Sequence, residues 1–292
     1  MFQLFPFNQI WFCFIFYLMC VAILFFLVRM LYEPYKLVTE YISLPVQTFE
    51  NQHSASIRVL LFTDLHAGNC RISDKKLIRE IFSKDFDLLL FGGDICNSNR
   101  DSRKALKRLH RIGEKATELQ IPCYAVRGNH DMTICKESFD STCFRLLENE
   151  SIRLKDRAGK DFLLIGMDDL GKRQGPIPSL PIHPENSDIP VHRRILLVHK
   201  PTHLLYQLPG NYAFQLSGHN HGGQLRLPFS LEYRLFRNDA LTRIGIRSGF
   251  FEKNQIQGYI SRGCGCVLLP IRFLCKPEIT VIDFYLDETS EM

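Results

Sequence analysis

Short apolar runs, polar loops and amphipathic segments alternate through the middle of the chain. Residues 57–62, 87–91 and 122–126 are β-type apolar runs, and each leads into a polar loop. Between them, residues 73–84 and 102–119 have the apolar spacing of helices that bury one face. This order of strands, loops and helices predicts a layered α/β fold. Because the apolar runs are continuous rather than alternating, we expect the strands to be covered on both faces.

The second half of the chain contains further short apolar runs but few helical patterns. Five runs are typical of strands: residues 162–166, 194–198, 214–217, 257–261 and 279–284. We expect the late ones to belong to a second sheet packed on the first. Residues 171–193 contain five of the 14 prolines together with charged residues, which predicts a long surface loop or lid.

The N-terminal region is the most apolar part of the chain. Residues 10–28 contain no charged side chain and are rich in Phe, Leu and Ile. A helix of this length can cross a hydrocarbon layer of about 30 Å. The alternatives are a buried core helix and a cleaved signal peptide, but no basic residue precedes the run and no A-x-A site follows it. We therefore predict one N-terminal transmembrane helix.

The sequence predicts three regions: a membrane anchor over residues 1–31, a polar tether over 32–55 and the main domain over 56–292. Arg29 and Lys36 follow the apolar run, whereas no Lys or Arg precedes it. Basic residues tend to stay on the cytoplasmic side of a membrane helix. We expect a single-pass protein of the inner (cytoplasmic) membrane with its main domain facing the cytoplasm.

Composition narrows the possible partners and the redox environment. The formal net charge of +5 fits an anionic substrate or a membrane surface but is too small to indicate a nucleic-acid partner. The ten cysteines lack the spacing of small disulfide-rich domains, so we expect free thiols in a reducing compartment. Cys264 and Cys266 form a CxC pair with no second pair at ligand spacing, which we interpret as incidental rather than a metal site.

Five of the predicted strands end in residue types that bind metal ions. Taken alone, each has another explanation as a helix cap or a turn. Ligand sites in open α/β sheets, however, gather beyond the carboxyl ends of the strands. The candidates at these ends are Asp64 with His66, Asp94, Asn129 with His130, His199, and His219 with His221, the last pair in the Gly-rich stretch Gly218-His-Asn-His-Gly-Gly-Gln224.

The chemistry of this set favours two ions rather than one. Four His, two Asp and one Asn offer mixed nitrogen and oxygen donors, which suit Mn, Fe, Zn or Co better than Mg or Ca. Seven ligands are too many for one ion and fit two if one carboxylate bridges them. Two carboxylates leave such a centre net positive, so it would attract phosphate.

In order along the chain, these motifs resemble those of the calcineurin-like metallophosphoesterases. The motifs are Asp64-x-His66, Gly93-Asp94, Gly128-Asn129-His130-Asp131, His199 and Gly218-His219-x-His221, and the resemblance extends over residues 57–284. It implies a four-layer α/β/β/α sandwich with two divalent metal ions between the sheets, manganese being expected first and Fe, Zn or Co being alternatives. It also assigns Asp64, His66, Asp94 and His221 to one ion, and Asp94, Asn129, His199 and His219 to the other.

The same resemblance gives His130 and Asp131 catalytic roles. His130 would sit beside the phosphate and stabilise charge or protonate the leaving group, and Asp131 would orient His130. Asn220 stands where Thr is usual in this family, at a position that is not a ligand.

Within the family, the chain resembles a small membrane-anchored bacterial branch, and most of all its UDP-2,3-diacylglucosamine pyrophosphatases. That resemblance implies membrane lipid as a partner and an acylated UDP-sugar as the substrate. Hydrolysis would yield UMP and 2,3-diacylglucosamine 1-phosphate in lipid A biosynthesis. The alternatives are a membrane-associated phosphodiesterase acting on other nucleotide or lipid phosphates, and a membrane-tethered scaffold with a silent metal site.

Residues 225–251 mix aromatic and aliphatic residues with arginines, among them Phe229, Phe250 and Arg247. Ordinary core with a solvated basic face explains this composition. The alternative is a membrane-facing patch, with Arg near anionic headgroups and aromatic rings near lipid.

Overall fold

Two six-stranded sheets are the framework of the protein, for which a computed structural model describes residues 5–46, 54–169, 180–205, 210–232 and 240–287. In spatial order, the first sheet consists of β1 (Val38–Leu44), β12 (Glu278–Phe284), β2 (Ile57–Phe62), β3 (Leu88–Phe91), β4 (Cys123–Ala125) and β5 (Arg145–Leu146). Strands β2 to β5 run parallel, and β12 is antiparallel to β2.

The second sheet is also mostly parallel. Its spatial order is β10 (Gly249–Lys253), β11 (Ile256–Ile260), β9 (Phe214–Ser217), β8 (Arg194–Val198), β7 (Asp161–Met167) and β6 (Glu150–Lys155). The neighbours β7, β8, β9 and β11 pair in parallel, and the two edge strands pair antiparallel. The carboxyl ends of the central strands therefore lie at one edge of each sheet.

Burial on both faces explains why the central strands are continuously apolar. In β2, Val59 and Leu61 pack between the sheets against second-sheet residues that include Leu197. Leu60 and Phe62 point the other way and pack under the helices. All of these residues are 0% exposed, so the expectation of strands covered on both faces is confirmed.

The α-helices with described bounds are α1 (Phe5–Tyr32), α2 (Asp74–Phe82), α3 (Ser102–Glu118), α4 (Lys136–Asp140) and α5 (Ala240–Arg243). The Ser73 hydroxyl caps α2 by accepting a hydrogen bond from the Lys76 amide at 3.3 Å. Helices α2 and α3 bury residues such as Leu77 and Leu109 on the outer face of the first sheet. On the outer face of the second sheet, α5 and short 3₁₀ turns cover the core. The predicted α/β/β/α layering is confirmed.

Two parts of the predicted organisation were wrong. Residues 38–44, expected in the tether, form edge strand β1, which pairs in parallel with β12. Their β-branched and aromatic residues favour a strand. The strand is only partly buried, however, and its polar residues interrupt the apolar pattern by which a strand is recognised. Strand β12 belongs to the first sheet rather than the second, since Ile282 pairs with Val59. Tether residues 47–53 and residues 171–179 of the predicted lid lie outside the described residues.

Helix α1 is exposed along most of its length. Residues 11–28 have exposed side chains, which excludes the buried core helix that the sequence left as an alternative. By length and composition the helix is able to cross a membrane, with a mean hydropathy of 2.7 over its most apolar window. It is therefore a candidate membrane anchor.

The last turn of α1 docks on residues 272–275, hereafter the 272–275 segment. The rings of Phe26 and Phe273 have centroids 4.0 Å apart, and the Arg272 amide donates to the Met30 carbonyl at 3.1 Å. The Glu33 carboxylate, only 4% exposed, accepts hydrogen bonds from the Cys275 amide and from Arg29 Nε. The helix thus ends in specific contacts with the main domain rather than in a loose tether.

We expect Glu33→Ala to lower the thermal unfolding midpoint of the detergent-solubilised chain by a few degrees. The substitution leaves the buried Cys275 amide without its acceptor, which costs about 1–3 kcal/mol. Glu33→Gln keeps an acceptor oxygen and should retain most of the midpoint. Equal midpoints for Glu33→Ala and the unsubstituted chain in a thermal scan would show that this contact does not hold the helix.

Candidate metal centre

The predicted site residues lie beyond the carboxyl ends of parallel strands in both sheets. Asp64 and His66 follow β2, Asp94 follows β3 and Asn129 follows β4; His199 follows β8, and His219 and His221 follow β9. Because the sheets stack face to face, these loops converge on one region between them. The strand order thus brings together residues that are up to 157 positions apart in sequence, from Asp64 to His221.

The first group of donors consists of Asp64, His66 and His221, all buried. His221 Nε2 lies 3.3 Å from Asp64 Oδ1 and 3.1 Å from His66 Nε2. The three ligand atoms lie within 4.8 Å of one another, as the donors of a single ion must.

The second group consists of Asp94, His199 and His219. His199 Nε2 lies 3.1 Å from Asp94 Oδ2 and 3.3 Å from His219 Nδ1. The three ligand atoms again lie within 4.8 Å of one another, so this group could hold a second ion.

Asp94 joins the two groups. Its Oδ2 lies 3.1 Å from His199 Nε2 in the second group and 3.6 Å from His66 Nε2 in the first. Its Oδ1 accepts a hydrogen bond from the His130 amide at 2.9 Å, which fixes the direction of Oδ2. One carboxylate therefore faces both places, as the bridging role requires.

The donor chemistry fits metal ions. His66 Nδ1 lies 3.2 Å from the Cys96 carbonyl, and His199 Nδ1 lies 2.8 Å from the Gly92 carbonyl. A carbonyl accepts a proton, so each ring holds its proton on Nδ1 when neutral and presents a lone pair at Nε2. Asn129 Oδ1 is buried with no hydrogen-bond partner in the described part of the chain, and the next residue, His130, contacts Asp94. A bound cation would satisfy the Asn129 oxygen and the Nε2 lone pairs of His66 and His199.

A proton on His199 compensates the charge of the buried Asp94 carboxylate, which lies 3.1 Å away. Burial alone would raise the pKa of Asp94, but the charge and hydrogen bond of His199 outweigh it and lower that pKa. For His199 burial acts in the opposite direction, and Asp94 raises the pKa to about 10. Binding of a divalent ion would displace this proton.

The backbone at the donors adopts a conformation that residues other than Gly rarely take. Five of them have left-handed φ angles: Asp64 (51°), His66 (38°), Asp94 (58°), His219 (70°) and His221 (50°). Each such residue costs free energy, and such residues concentrate at functional sites. The clustering of left-handed residues at the donors supports a functional rather than an incidental role.

Two motif glycines allow the loops to approach the carboxylates. A Cβ at Gly128 would lie 2.2 Å from Asp94 Oδ1, and one at Gly218 would lie 2.4 Å from Asp64 Oδ2. Any side chain at these positions would displace a carboxylate of the centre.

His130 lies near the donors, and the Asp131 carboxylate contacts backbone amides rather than the His130 ring. His130 Nδ1 lies 2.8 Å from the Asn97 carbonyl, so Nε2 remains for the site, where it groups with His66 and Asp94. The Asp131 carboxylate instead accepts from backbone amides of Ile95, Cys96 and Gly128 at 3.0–3.3 Å.

Asp131 therefore holds the loops after β3 and β4 together. Burial and the nearby Asp94 raise the pKa of Asp131 to about 7. This arrangement was not predictable from the sequence, because the partners of Asp131 are backbone amides that almost any residue supplies.

The residues behind His221 were not among the predicted site residues. Cys275 Sγ donates to the His221 carbonyl at 3.1 Å, and Phe273 pairs through its backbone with Gln224 and Arg226. The 272–275 segment thus contacts both α1 and the loop that carries His219 and His221. The Gln224 side chain bonds Val267 and Leu269, which ties the same loop to residues 267–269.

The cysteines lie apart from the candidate donor groups in the described residues. Cys264 and Cys266 are buried, and no metal-ligand cluster in the described ranges includes a cysteine. All ten cysteines are free.

Comparison with known proteins supplies the observation that decides the family. Residues 57–223, more than half of the chain, match the calcineurin-like phosphoesterase family. The chain belongs to this family. The predicted family is confirmed, and membership makes the chain a metal-dependent phosphohydrolase whose donor groups are candidates for divalent metal ions.

Several metallophosphoesterases are similar over most of this chain. It is 28% identical to the uncharacterized metallophosphoesterase YkoQ of Bacillus subtilis, over 77% of this chain and 82% of that protein. It is 26% identical to the phosphodiesterase YaeI of Escherichia coli, over 80% of this chain and 84% of YaeI. It is also 26% identical to the UDP-2,3-diacylglucosamine pyrophosphatase LpxG of Chlamydia muridarum, over 79% of this chain and 84% of LpxG.

Proposed function

We propose that this metallophosphoesterase hydrolyses the pyrophosphate bond of UDP-2,3-diacylglucosamine, giving UMP and 2,3-diacylglucosamine 1-phosphate for lipid A biosynthesis. Similarity to LpxG over 79% of the chain supports this substrate. We further propose that α1 is a retained anchor in the cytoplasmic membrane and that the catalytic domain faces the cytoplasm. The contacts of Phe26 with Phe273 and of Met30 with Arg272 support retention, since removal of the helix would break them.

The main support for a lipid substrate is the position of exposed apolar residues near the metal centre. Leu268 is 87% exposed and Leu269 is 61% exposed, and their segment is bonded to Gln224, three residues beyond His221. Leu274, also exposed, follows Phe273, which stacks on α1. Exposed leucines beside a membrane helix fit contact with acyl chains or lipid.

The proposed aromatic and basic patch is only partly described. Phe229 and Phe250 are exposed, whereas Phe251 belongs to the core of the second sheet. Residues 233–239 lie outside the described residues. The exposed rings are compatible with a membrane-facing surface.

The chain's own residues have distinct roles in this reaction. Asp64, His66, Asp94 and His221 would hold one ion, and Asp94, Asn129, His199 and His219 the other. When bound, the two ions supply positive charge to the phosphate oxygens and lower the pKa of water at the site. His130, held through Nδ1 by Asn97, presents Nε2 to the substrate. Because a phosphate monoester leaves readily, His130 need only stabilise charge.

Turnover of UDP-2,3-diacylglucosamine by the detergent-solubilised full chain tests this function. The protein would be stripped of metal, refilled with Mn, Co, Zn or Mg, and assayed for released UMP. We expect no UMP without metal and the highest rate with Mn. Metal-dependent cleavage of an aryl phosphodiester without UMP release would discard this substrate and favour the second candidate, a phosphodiesterase similar to YaeI. No hydrolysis of either compound with any metal would contradict enzyme function and favour a scaffold.

A further inference from the structure

A cleft lies between the end of α1 and the main domain, and none of its lining residues is a candidate metal donor. Its volume is about 390 Å³. It is apolar at one end and cationic at the other, and its lining consists of Phe25, Val28, Arg29, Tyr32, Glu33, Lys36 and Lys276.

The charge of the cleft is positive. Three cationic side chains face one carboxylate, Glu33, which is buried and already accepts from Arg29 at 3.3 Å and from the Cys275 amide. Lys36 Nζ lies 4.5 Å from the centre of the Tyr32 ring, and Lys276 is exposed. Neither lysine has a carboxylate within salt-bridge distance in the described residues. The partial negative charge at the end of α1, about half a unit, does not cancel two lysines.

The apolar end of the cleft lies along one face of α1. Phe25, Val28, Arg29 and Tyr32 are spaced by three and four residues, so they form one stripe on the helix. Phe25 is 66% exposed and Val28 is 55% exposed. If α1 spans a membrane, these two side chains lie at the end of its apolar run, and Arg29 and Lys36 follow them along the chain, at the level of the headgroups.

We propose that this cleft is a binding site for one anionic phospholipid of the surrounding membrane. Arg29, Lys36 and Lys276 bind its phosphate, and its acyl chains lie along Phe25 and Val28. Tyr32 contributes an amphipathic ring at the boundary between the two. The site is separate from the metal donors, and the inference depends on membrane insertion of α1 but not on the substrate proposed above.

Native mass spectrometry of the detergent-solubilised full chain, titrated with phosphatidylglycerol or phosphatidylcholine, tests the proposal. We expect one tightly retained phosphatidylglycerol and no comparable retention of phosphatidylcholine. The double variant Lys36→Gln/Lys276→Gln should weaken phosphatidylglycerol binding roughly tenfold or more, since each basic residue near a lipid headgroup contributes to its binding. Metal-dependent cleavage of an aryl phosphodiester by the same variant should persist, which shows that it is folded.

A matched control removes the same charge elsewhere. Lys104 and Lys107 are exposed on α3, so Lys104→Gln/Lys107→Gln changes the net charge equally without touching the cleft. This control should retain the lipid. An equal loss of phosphatidylglycerol binding in the control would mean that binding depends on net surface charge alone, and it would overturn the proposal. Complete competition by millimolar inorganic phosphate, or equal binding of phosphatidylcholine, would overturn it as well.

Discussion

Asp94→Ala is expected to abolish hydrolysis and to remove both metal ions rather than one. Asp94 Oδ2 faces His199 at 3.1 Å and His66 at 3.6 Å, so a single carboxylate serves both donor groups. Its loss removes the one anion that both groups share, so the repulsion between two divalent cations would no longer be offset by this carboxylate. We expect turnover to fall by at least about 10³-fold, because the charge that the ions supply to the transition state amounts to several kcal/mol.

Metal content distinguishes this result from general damage. By inductively coupled plasma mass spectrometry, Asp94→Ala should hold less than one ion per chain. Asp64→Ala and His221→Ala should also abolish turnover, but each should keep the ion at Asp94, His199 and His219. The fold should survive in all three, since the sheet core does not use these side chains.

An exposed aspartate provides the matched control. The Asp85 side chain is 77% exposed and far from the donors in the fold, so Asp85→Ala should change neither metal content nor rate. Near-normal turnover in Asp94→Ala, or two retained ions, would refute the bridging arrangement.

The metal centre was predictable from the sequence because its residues follow strands that are recognisable one at a time. Runs such as residues 57–62 are apolar on both faces, which marks them as central parallel strands. The carboxyl ends of such strands meet at one edge of a sheet whatever the exact strand order. Asp64, Asp94 and Asn129 could therefore be grouped without knowing any long-range contact.

The edges and supports of the fold were not predictable in this way. Strand β1 is partly exposed, with Tyr41 facing solvent, so its apolar pattern is too weak to separate it from a tether. The position of β12 between β1 and β2 depends on pairing between residues more than 200 positions apart. Asp131 and Cys275 act through backbone groups, which leave no pattern in side-chain type.

Arg272 is the buried support with the largest expected effect on stability. Its side chain is 0% exposed, and its guanidinium donates to four backbone carbonyls at 2.5–3.2 Å: those of Arg262, Gly263, Gly265 and Cys275. Removing a donor that satisfies several buried carbonyls costs about 1–3 kcal/mol for each group left unpaired. Some of these groups will find other partners, so we expect Arg272→Ala to lower the free energy of unfolding by about 3–5 kcal/mol.

A thermal scan should show this loss as a fall in the unfolding midpoint of about 10 °C. Arg103→Ala, at an exposed position of α3, should leave the midpoint unchanged. The unfolding midpoint of Arg272→Lys should lie between those of Arg272→Ala and the unsubstituted chain, because one ammonium group cannot reach all the carbonyls that a planar guanidinium does. An unchanged midpoint in Arg272→Ala would contradict the role of this side chain as a support.

The same substitution should weaken one metal position more than the other, because the residues that Arg272 holds bond directly to Asp64 and His221 of the first donor group. Gly265 donates its amide to the Asp64 carbonyl at 2.7 Å, and Cys275 donates its thiol to the His221 carbonyl at 3.1 Å. The carbonyls of both residues are fixed by Arg272. We therefore expect metal titration of Arg272→Lys to show weakened binding at the Asp64 and His221 position while the position at His199 and His219 keeps its affinity. Equal weakening at both positions would mean that Arg272 supports the fold as a whole rather than this half of the metal centre.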